Sequence, residues 1–290
     1  IPPSIPLILY GFVTETSIPA LFLAGIIPGL LYGALLLLTA RVLAAREGIE
    51  TRKRASLSEL VASFKSSLPA LSLPLFIVIG IYGLPPVDMF GIKFDAGAIF
   101  TPTEAAAISA VLAMVIGFVV YRELTFKEVI KVVIESGPRV GMIFWITANA
   151  LLFGYFLTKV GIPAKMAQLV LDLNLSPVVF LLCVYVLLVI VGFFLEGVPT
   201  ILIFAPLLVP AAQNLGIDPV HFAIIMVVNI ELGLITPPVG INLFVASSIS
   251  GLPVLKVFQA TIPWMGATIL TLLIVTFFPP LSLYLPWLLQ

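Results

Sequence analysis

Charge and metal-binding side chains are what this sequence has least of. It holds 14 basic and 14 acidic side chains in 290 residues, so 10% are charged and the formal net charge is zero. Lipid must be the solvent for much of such a chain, and a zero total carries no information about partners. The one cysteine, Cys183, excludes an internal disulfide framework. With one histidine, His221, it supplies no zinc or haem site. No G-x-x-x-x-G-K loop occurs, so this chain does not itself hydrolyse ATP, and H-E-x-x-H is absent as well. With no catalytic pair visible, an enzyme is the poorest reading. An initiator methionine and a basic, cleavable leader are also missing, since the chain opens Ile1-Pro2-Pro3 inside an apolar stretch. The expectation from that opening is that a preceding portion has been cut away or is carried on another chain.

What is present is 61% hydrophobic. Apolar runs long enough to span a bilayer, by the rule of roughly 20 residues, fall at about 19–40, 68–85, 102–121, 140–158 and 257–280. The stretch 176–250 is equally apolar, but Pro, Gly and isolated charges divide it. Leu181–Phe194 and Ile201–Ala212 are too short to cross comfortably, and Glu196-Gly197-Val198-Pro199-Thr200 lies between them. This pattern predicts a re-entrant helical hairpin over about 176–213, with one kinked spanning helix as the alternative.

Two proline pairs, Pro2-Pro3 and Pro237-Pro238, interrupt membrane-like segments, and each is followed 25 residues after its second proline by another, Pro28 and Pro263. Proline removes a backbone donor and clashes with the preceding turn, so a pair ends a helix. In hydrocarbon such a break is tolerable only where the freed carbonyls face protein, water or an ion. Two interrupted helices in corresponding positions point to a transporter's binding site. Half-helices are predicted over 4–13, 220–233 and 241–250.

The carbonyls around Pro2, Pro3 and Ser4, and those from Thr236 through Pro237, Pro238 and Val239 to Gly240, suit a hard cation such as sodium. The amides opening the half-helix after Gly240 suit a carboxylate, with Ser4, Asn242 and Thr200 as candidate solute contacts. The bland alternative is a pair of prolines that only kink packed helices. Glu196 and Glu231 lie deep in apolar sequence, where a carboxylate must be paired, hydrogen-bonded, protonated or near water. Glu196 is expected to cap the second hairpin limb. Glu231 is expected to support the ion site or to carry a proton.

Basic residues are sorted along the chain: six between Arg41 and Lys65, four between Arg122 and Arg139, then Lys256, against Lys93, Lys159 and Lys165 elsewhere. The positive-inside rule makes the first eleven cytoplasmic, and puts 12–18, 86–100 and 213–219 outside. Segments 56–67 and 124–133 are amphipathic and are expected to lie flat at the interface, as braces or as plain connectors. Thr101-Pro102-Thr103-Glu104 is a helix start. His221 is expected at the membrane surface.

Ile1 to Gly11, Phe100-Thr101-Pro102-Thr103-Glu104-Ala105-Ala106-Ala107, and above all Gly216 through Ile235-Thr236-Pro237-Pro238-Val239-Gly240-Ile241-Asn242-Leu243-Phe244-Val245-Ala246 resemble the large membrane subunit of tripartite ATP-independent periplasmic (TRAP) transporters. Phe278-Pro279-Pro280-Leu281-Ser282-Leu283 fits as well. The resemblance covers nearly the whole chain, as that subunit's C-terminal two-thirds. It implies an all-α, polytopic membrane protein of the elevator type with inverted repeats, a re-entrant hairpin and proline-broken helices. It also implies sodium (Na+) coupling and import of an organic acid anion, a C4-dicarboxylate or sialic acid, across a bacterial inner membrane.

The partners implied are a periplasmic binding protein, a small four-helix membrane subunit of the Q type and the lipid bilayer; nucleic acid is not among them. The first hairpin of the family, which would supply part of a sodium site, is not in these residues. The expected organisation is 1–18 as the end of the first broken helix, 19–160 as scaffold, 161–250 as second hairpin and broken helix, and 251–290 as a C-terminal scaffold helix. Two rivals stand beside this reading: an ion-coupled anion transporter that needs no binding protein, and a non-transporting scaffold or sensor subunit.

Overall fold

The structure, a computed structural model, describes residues 2–49, 54–83, 88–89, 92–93 and 99–289. Ile1, Arg52 and Lys53 of the basic cluster, and most of the expected outer loop 86–100, lie outside the described residues. The described chain is helical apart from a two-residue antiparallel pair, β1 (Asp88–Met89) with β2 (Ile92–Lys93). Contacts divide the chain into two compact units, Ile1–Ile49 with Ile143–Gln290, and Glu50–Met142.

The first unit begins with α1 (Ile5–Thr14), a ten-residue helix that ends on Glu15 in the left-handed region. Ser17 then accepts a bond from Ala20 N, and α2 (Ile18–Arg46) follows with Pro28 inside it. The smaller unit holds α3 (Leu57–Tyr82) and α4 (Pro102–Val115), the latter continued by a π-helical turn to Tyr121. Both helices open with capping boxes: Ser56 with Glu59, and Thr101 with Glu104 as expected. α3 packs on α4. Gly80 leaves room there for Phe100, whose ring a Cβ would meet at 2.8 Å, and Gly80 O accepts both Ile99 N and Phe100 N at 2.9 Å.

α5 (Phe126–Lys159) runs from the smaller unit into the larger. The amphipathic segments 56–67 and 124–133 form the opening turns of α3 and α5 and run on into the apolar helices that follow. The internal prolines Pro69, Pro74 and Pro138 each remove one helical hydrogen bond without ending the helix.

The rest of the larger unit is α6 (Ile162–Asp172), α7 (Pro177–Gly192), α8 (Gly197–Asn214), α9 (Pro219–Leu234), α10 (Ile241–Ser250), α11 (Val254–Phe277) and α12 (Pro280–Leu289). Among the described residues, six helices, α2, α3, α4 with its π-helical turn, α5, α8 and α11, are long and apolar enough to cross a membrane. Five contain most of each predicted span; the sixth is the second hairpin limb. At about 1.5 Å per residue, the 16 residues of α7 reach roughly 24 Å, short of a hydrocarbon core of about 30 Å.

The core of this unit is α9, which packs against α1, α2, α7, α8, α11 and α12. Phe222, Ile225, Met226 and Ile230 are among its fully buried side chains. Asp218 starts α9 by accepting Val220 N at 2.8 Å. Tyr10 of α1, itself fully buried, donates to Pro219 O at 2.7 Å, fixing α1 to the entry of α9. His221, expected at the membrane surface, is buried, because α12 covers it and Ser282 Oγ lies 2.6 Å from its Nδ1. α2, grouped above with 19–160, packs on α1, α9, α11 and α12.

The second repeat follows the first element by element. α10 has ten residues like α1 and ends on a left-handed residue, Gly251, as α1 ends on Glu15; α11 carries Pro263 where α2 carries Pro28.

Candidate functional site

Both proline pairs interrupt the chain as expected, and both contain a cis peptide bond. At the second pair, Pro237 and Pro238 carry no N–H, so the carbonyls of Gly233 and Leu234 lose their helical donors. Gly233 O recovers one from Thr236 N at 3.0 Å. The chain then turns back on itself. Gly240 takes φ +56°, and a Cβ there would lie 2.9 Å from Thr236 O and 3.3 Å from Leu234 O. These two carbonyl oxygens therefore crowd one glycine, a position that demands both its positive φ and its missing side chain. Thr236 donates its hydroxyl to Leu232 O at 2.6 Å, leaving the lone pairs of Oγ1 as acceptors. Val239 is half-buried, and Asn242, in the first turn of α10, is exposed.

The predicted hairpin is α7, a tip at 193–196, and α8. Its tip meets the second break, and the start of α8 lies near α1. Phe193 O accepts Gly240 N at 3.2 Å, joining the tip to the second break. On the other side, a Cβ at Gly197 would touch Pro6 of α1 at 3.9 Å and Ile230 of α9 at 3.7 Å. Just below, α7 and α9 touch backbone to backbone at Gly192 and Gly233. Thr200 is fully buried and donates its hydroxyl to Glu196 O at 2.8 Å, closing the tip from within. Glu196 occupies the N-cap position of α8 as expected, but its carboxylate makes no capping bond and is exposed. With Gly197 in the first helical position, the backbone of the tip folds without it.

At the first break, Ser4 precedes α1 with extended backbone and no side-chain capping bond, while Ser4 O accepts Ile8 N at 3.1 Å. Pro2 lies against α2, where a Cβ on Gly25 would meet its ring at 3.2 Å. Ser4 lines a cavity of about 320 Å³ together with Glu231. Glu231 thus sits two residues before the second break's neighbour Gly233 in sequence, yet opens onto the first break in space. Pairing the two breaks by spacing alone does not reveal this crossing. Nor does it reveal Phe193 O or the Gly192–Gly233 contact, although an isolated glycine in an apolar helix is the usual mark of close approach.

Residues 1–281 match the family described as "Tripartite ATP-independent periplasmic transporter, DctM component". The chain belongs to this family. Membership in a transporter family sets it apart from enzymes. This DctM-family chain is 45% identical over 99% of its length to the C4-dicarboxylate TRAP transporter large permease protein DctM of Pseudomonas aeruginosa, and covers 64% of that protein. It is 34% identical, again over 99% of its length, to the sialic acid TRAP transporter large permease protein SiaM of Vibrio cholerae, covering 64% of it. The isethionate TRAP transporter permease protein DctMQ of Oleidesulfovibrio alaskensis is 36% identical over 98% of the chain, which covers 43% of that relative. The DctM-family chain therefore spans less than two-thirds of the length of these curated relatives.

Proposed function

We propose that this chain is part of a sodium-driven secondary transporter that imports an organic acid anion across a bacterial inner membrane. The observation that carries the reading is the bond from Gly240 N of the second proline break to Phe193 O of the hairpin tip, with Gly197 at the start of α8 lying near Pro6 of the half-helix that follows the first break. Unpaired backbone is tolerated at membrane depth where it lines an ion or water site. Sodium binds to the oxygens around Gly240, from Leu234, Thr236 and the Thr236 hydroxyl, and to the carbonyls beside Pro2, Pro3 and Ser4. The anion docks at the opening amides of α10 beside Asn242. Thr200, buried, shapes the tip.

The relatives named for a dicarboxylate, sialic acid and isethionate share an anionic head group, which is the substrate class proposed here. A periplasmic binding protein delivers the solute, and a small four-helix subunit joins the scaffold. The larger compact unit, carrying both breaks and the hairpin, moves as the elevator, with α2 and α11 travelling in it.

The test uses the complete permease with its small subunit and binding protein in proteoliposomes. Uptake of a C4-dicarboxylate or sialic acid is expected under an inward sodium gradient and not in choline. Equal uptake in both buffers overturns sodium coupling; no uptake of any organic anion overturns the transport reading.

A further inference from the structure

The corner where α11 gives way to α12 leaves a carbonyl without its helical partner. Pro280 stands four residues after Thr276 and has no N–H, so Thr276 O loses the donor that would close the last turn of α11. His221, in the first turn of α9, faces that carbonyl. Its Nδ1 lies 2.6 Å from Ser282 Oγ, in the first turn of α12.

Proton positions at this corner follow from the acceptors. Pro279 O already accepts Ser282 N and Leu283 N, each at 3.0 Å, which uses both of its lone pairs. The Ser282 hydroxyl, although 3.0 Å from the same oxygen, is therefore free to donate to Nδ1. With Nδ1 accepting, the single proton of the ring sits on Nε2, and Thr276 O is the carbonyl waiting for a donor. A neutral imidazole offers one donor and one acceptor, and the corner supplies a partner for each. An imidazolium offers two donors: it turns Nδ1 against the Ser282 proton and sends that proton back to the crowded Pro279 O.

A positive charge finds little compensation here. His221 is 4% exposed. On its own helix the neighbouring carboxylate is Asp218, which is exposed and whose Oδ1 accepts Val220 N and His221 N. Of the helices packed on α9, α7, α8, α10 and α12 contain no Asp, Glu, Lys or Arg. α11 contains one, Lys256, in its first turn at the far end from Thr276. α1 brings the Tyr10 hydroxyl, spent on Pro219 O, and stops at Glu15, while Arg41 and Arg46 lie in the second half of α2. A cavity of about 240 Å³ opens beside His221 and Asp218 and gives protons a route to the ring.

The same threonine joins this corner to the hairpin. Thr276 donates its hydroxyl to Leu272 O at 2.7 Å, so in its contact with Tyr185 Oη of α7 the tyrosine is the donor. We propose that His221 is a positioning residue for transport, a proton-sensitive joint that holds the α11–α12 corner on α9 only while its ring is neutral. It touches neither proline break. It acts through α9 and, by way of Thr276 and Tyr185, through the first limb of the hairpin. The distribution of basic residues puts 213–219 outside, so the joint responds to acid on the outer face. The unfolded chain accepts a proton that the folded corner resists. Stability from the joint is therefore full above the ordinary histidine range and is lost as pH falls through it.

The test uses the complete permease with its small subunit and binding protein, as parent, His221→Gln and Ser282→Ala. Thermal unfolding is followed from about pH 7.5 to about pH 5.5, which brackets the histidine range. Acid is expected to lower the parent's unfolding temperature by about 3 °C more than that of either variant. Both variants should start below the parent at the upper pH. In proteoliposomes, with the binding protein outside selecting outward-facing copies, outer acid should lower the parent's maximal uptake rate about three-fold more than that of His221→Gln. Half-saturating sodium should not move with pH in either, because His221 touches no ion. Equal acid losses in parent and variants, in unfolding and in uptake, overturn the joint; if His221→Gln fails to fold, Ser282→Ala decides by the same comparison. Unfolding tests the joint without reference to transport, and uptake rests on the transport reading. If the parent moves no organic anion at any pH, that reading falls and the unfolding comparison still decides the joint.

Discussion

Gly192 and Gly233 hold two helices at backbone contact directly beneath the hairpin tip. A Cβ on Gly192 would lie 2.9 Å from Gly233 Cα, and one on Gly233 would lie 2.8 Å from Gly192 Cα and 3.1 Å from Val189 O. All of these neighbours are main chain, so no flexible side chain can yield. This contact sets how closely α7 and α9 approach, and so where Phe193 O meets Gly240 N.

Alanine at either glycine must push the helices apart. Overpacking of this kind costs about 1–3 kcal/mol, and the displaced tip should lose transport as well as stability. Thermal unfolding and proteoliposome uptake of Gly192→Ala and Gly233→Ala check this. Unfolding temperatures equal to the parent's in both variants would refute the close approach.

Gly240 and Gly251 separate backbone strain from site geometry. Both adopt positive φ, +56° and +70°, where alanine is penalised by about 1 kcal/mol. A Cβ at Gly251 meets nothing within 4 Å, whereas one at Gly240 strikes Thr236 O. Gly251→Ala should therefore lower stability slightly and leave sodium affinity unchanged. Gly240→Ala should weaken sodium-driven uptake by about ten-fold, a shift of about 1.4 kcal/mol. Matching sodium dependence in the two variants would remove the Thr236 and Leu234 oxygens from the ion site.

How much of this was legible in the sequence depends on range. Proline pairs and glycines act on their own neighbours, so the half-helices at 5–14, 219–234 and 241–250 were predicted to within a residue or so. The hairpin was equally clear from Glu196-Gly197 between two apolar limbs. The local pattern failed where packing decides. Amphipathic faces at 56–67 and 124–133 carry no signal for where a helix stops, so their continuation through α3 and α5 was missed. The burial of His221 depends on α12, 61 residues away at Ser282. Glu231 reads from sequence as a neighbour of Thr236, but on a helix its direction is fixed by turn angle, and it opens toward Ser4.

Tyr10 supplies a stability test independent of the ion. Its hydroxyl is the polar tie between α1 and Pro219, inside a fully buried ring site. Tyr10→Phe keeps the ring and removes the hydrogen bond, leaving Pro219 O to its helical partner alone. A loss of about 1 kcal/mol is expected, read as a lower unfolding temperature with sodium affinity unchanged. A loss of sodium affinity without a loss of stability would show that α1 is positioned by this bond for function rather than for folding.

Asn229 reverses that logic. It is fully buried on α9, and its Nδ2 reaches Val184 O and Tyr185 O of α7 only at 3.5 and 3.4 Å, while its Oδ1 has no partner. A buried acceptor left unsatisfied costs about 1–3 kcal/mol, and replacing it with an apolar group of similar size is often neutral or favourable. Asn229→Leu should therefore unfold at the same temperature as the parent or higher. The same change removes the polar grip of α9 on the first hairpin limb, so uptake should fall although the protein is no less stable. A clear loss of stability in Asn229→Leu would mean instead that Oδ1 is satisfied by an ordered water in the groove between α7, α9 and α11, making Asn229 a structural residue.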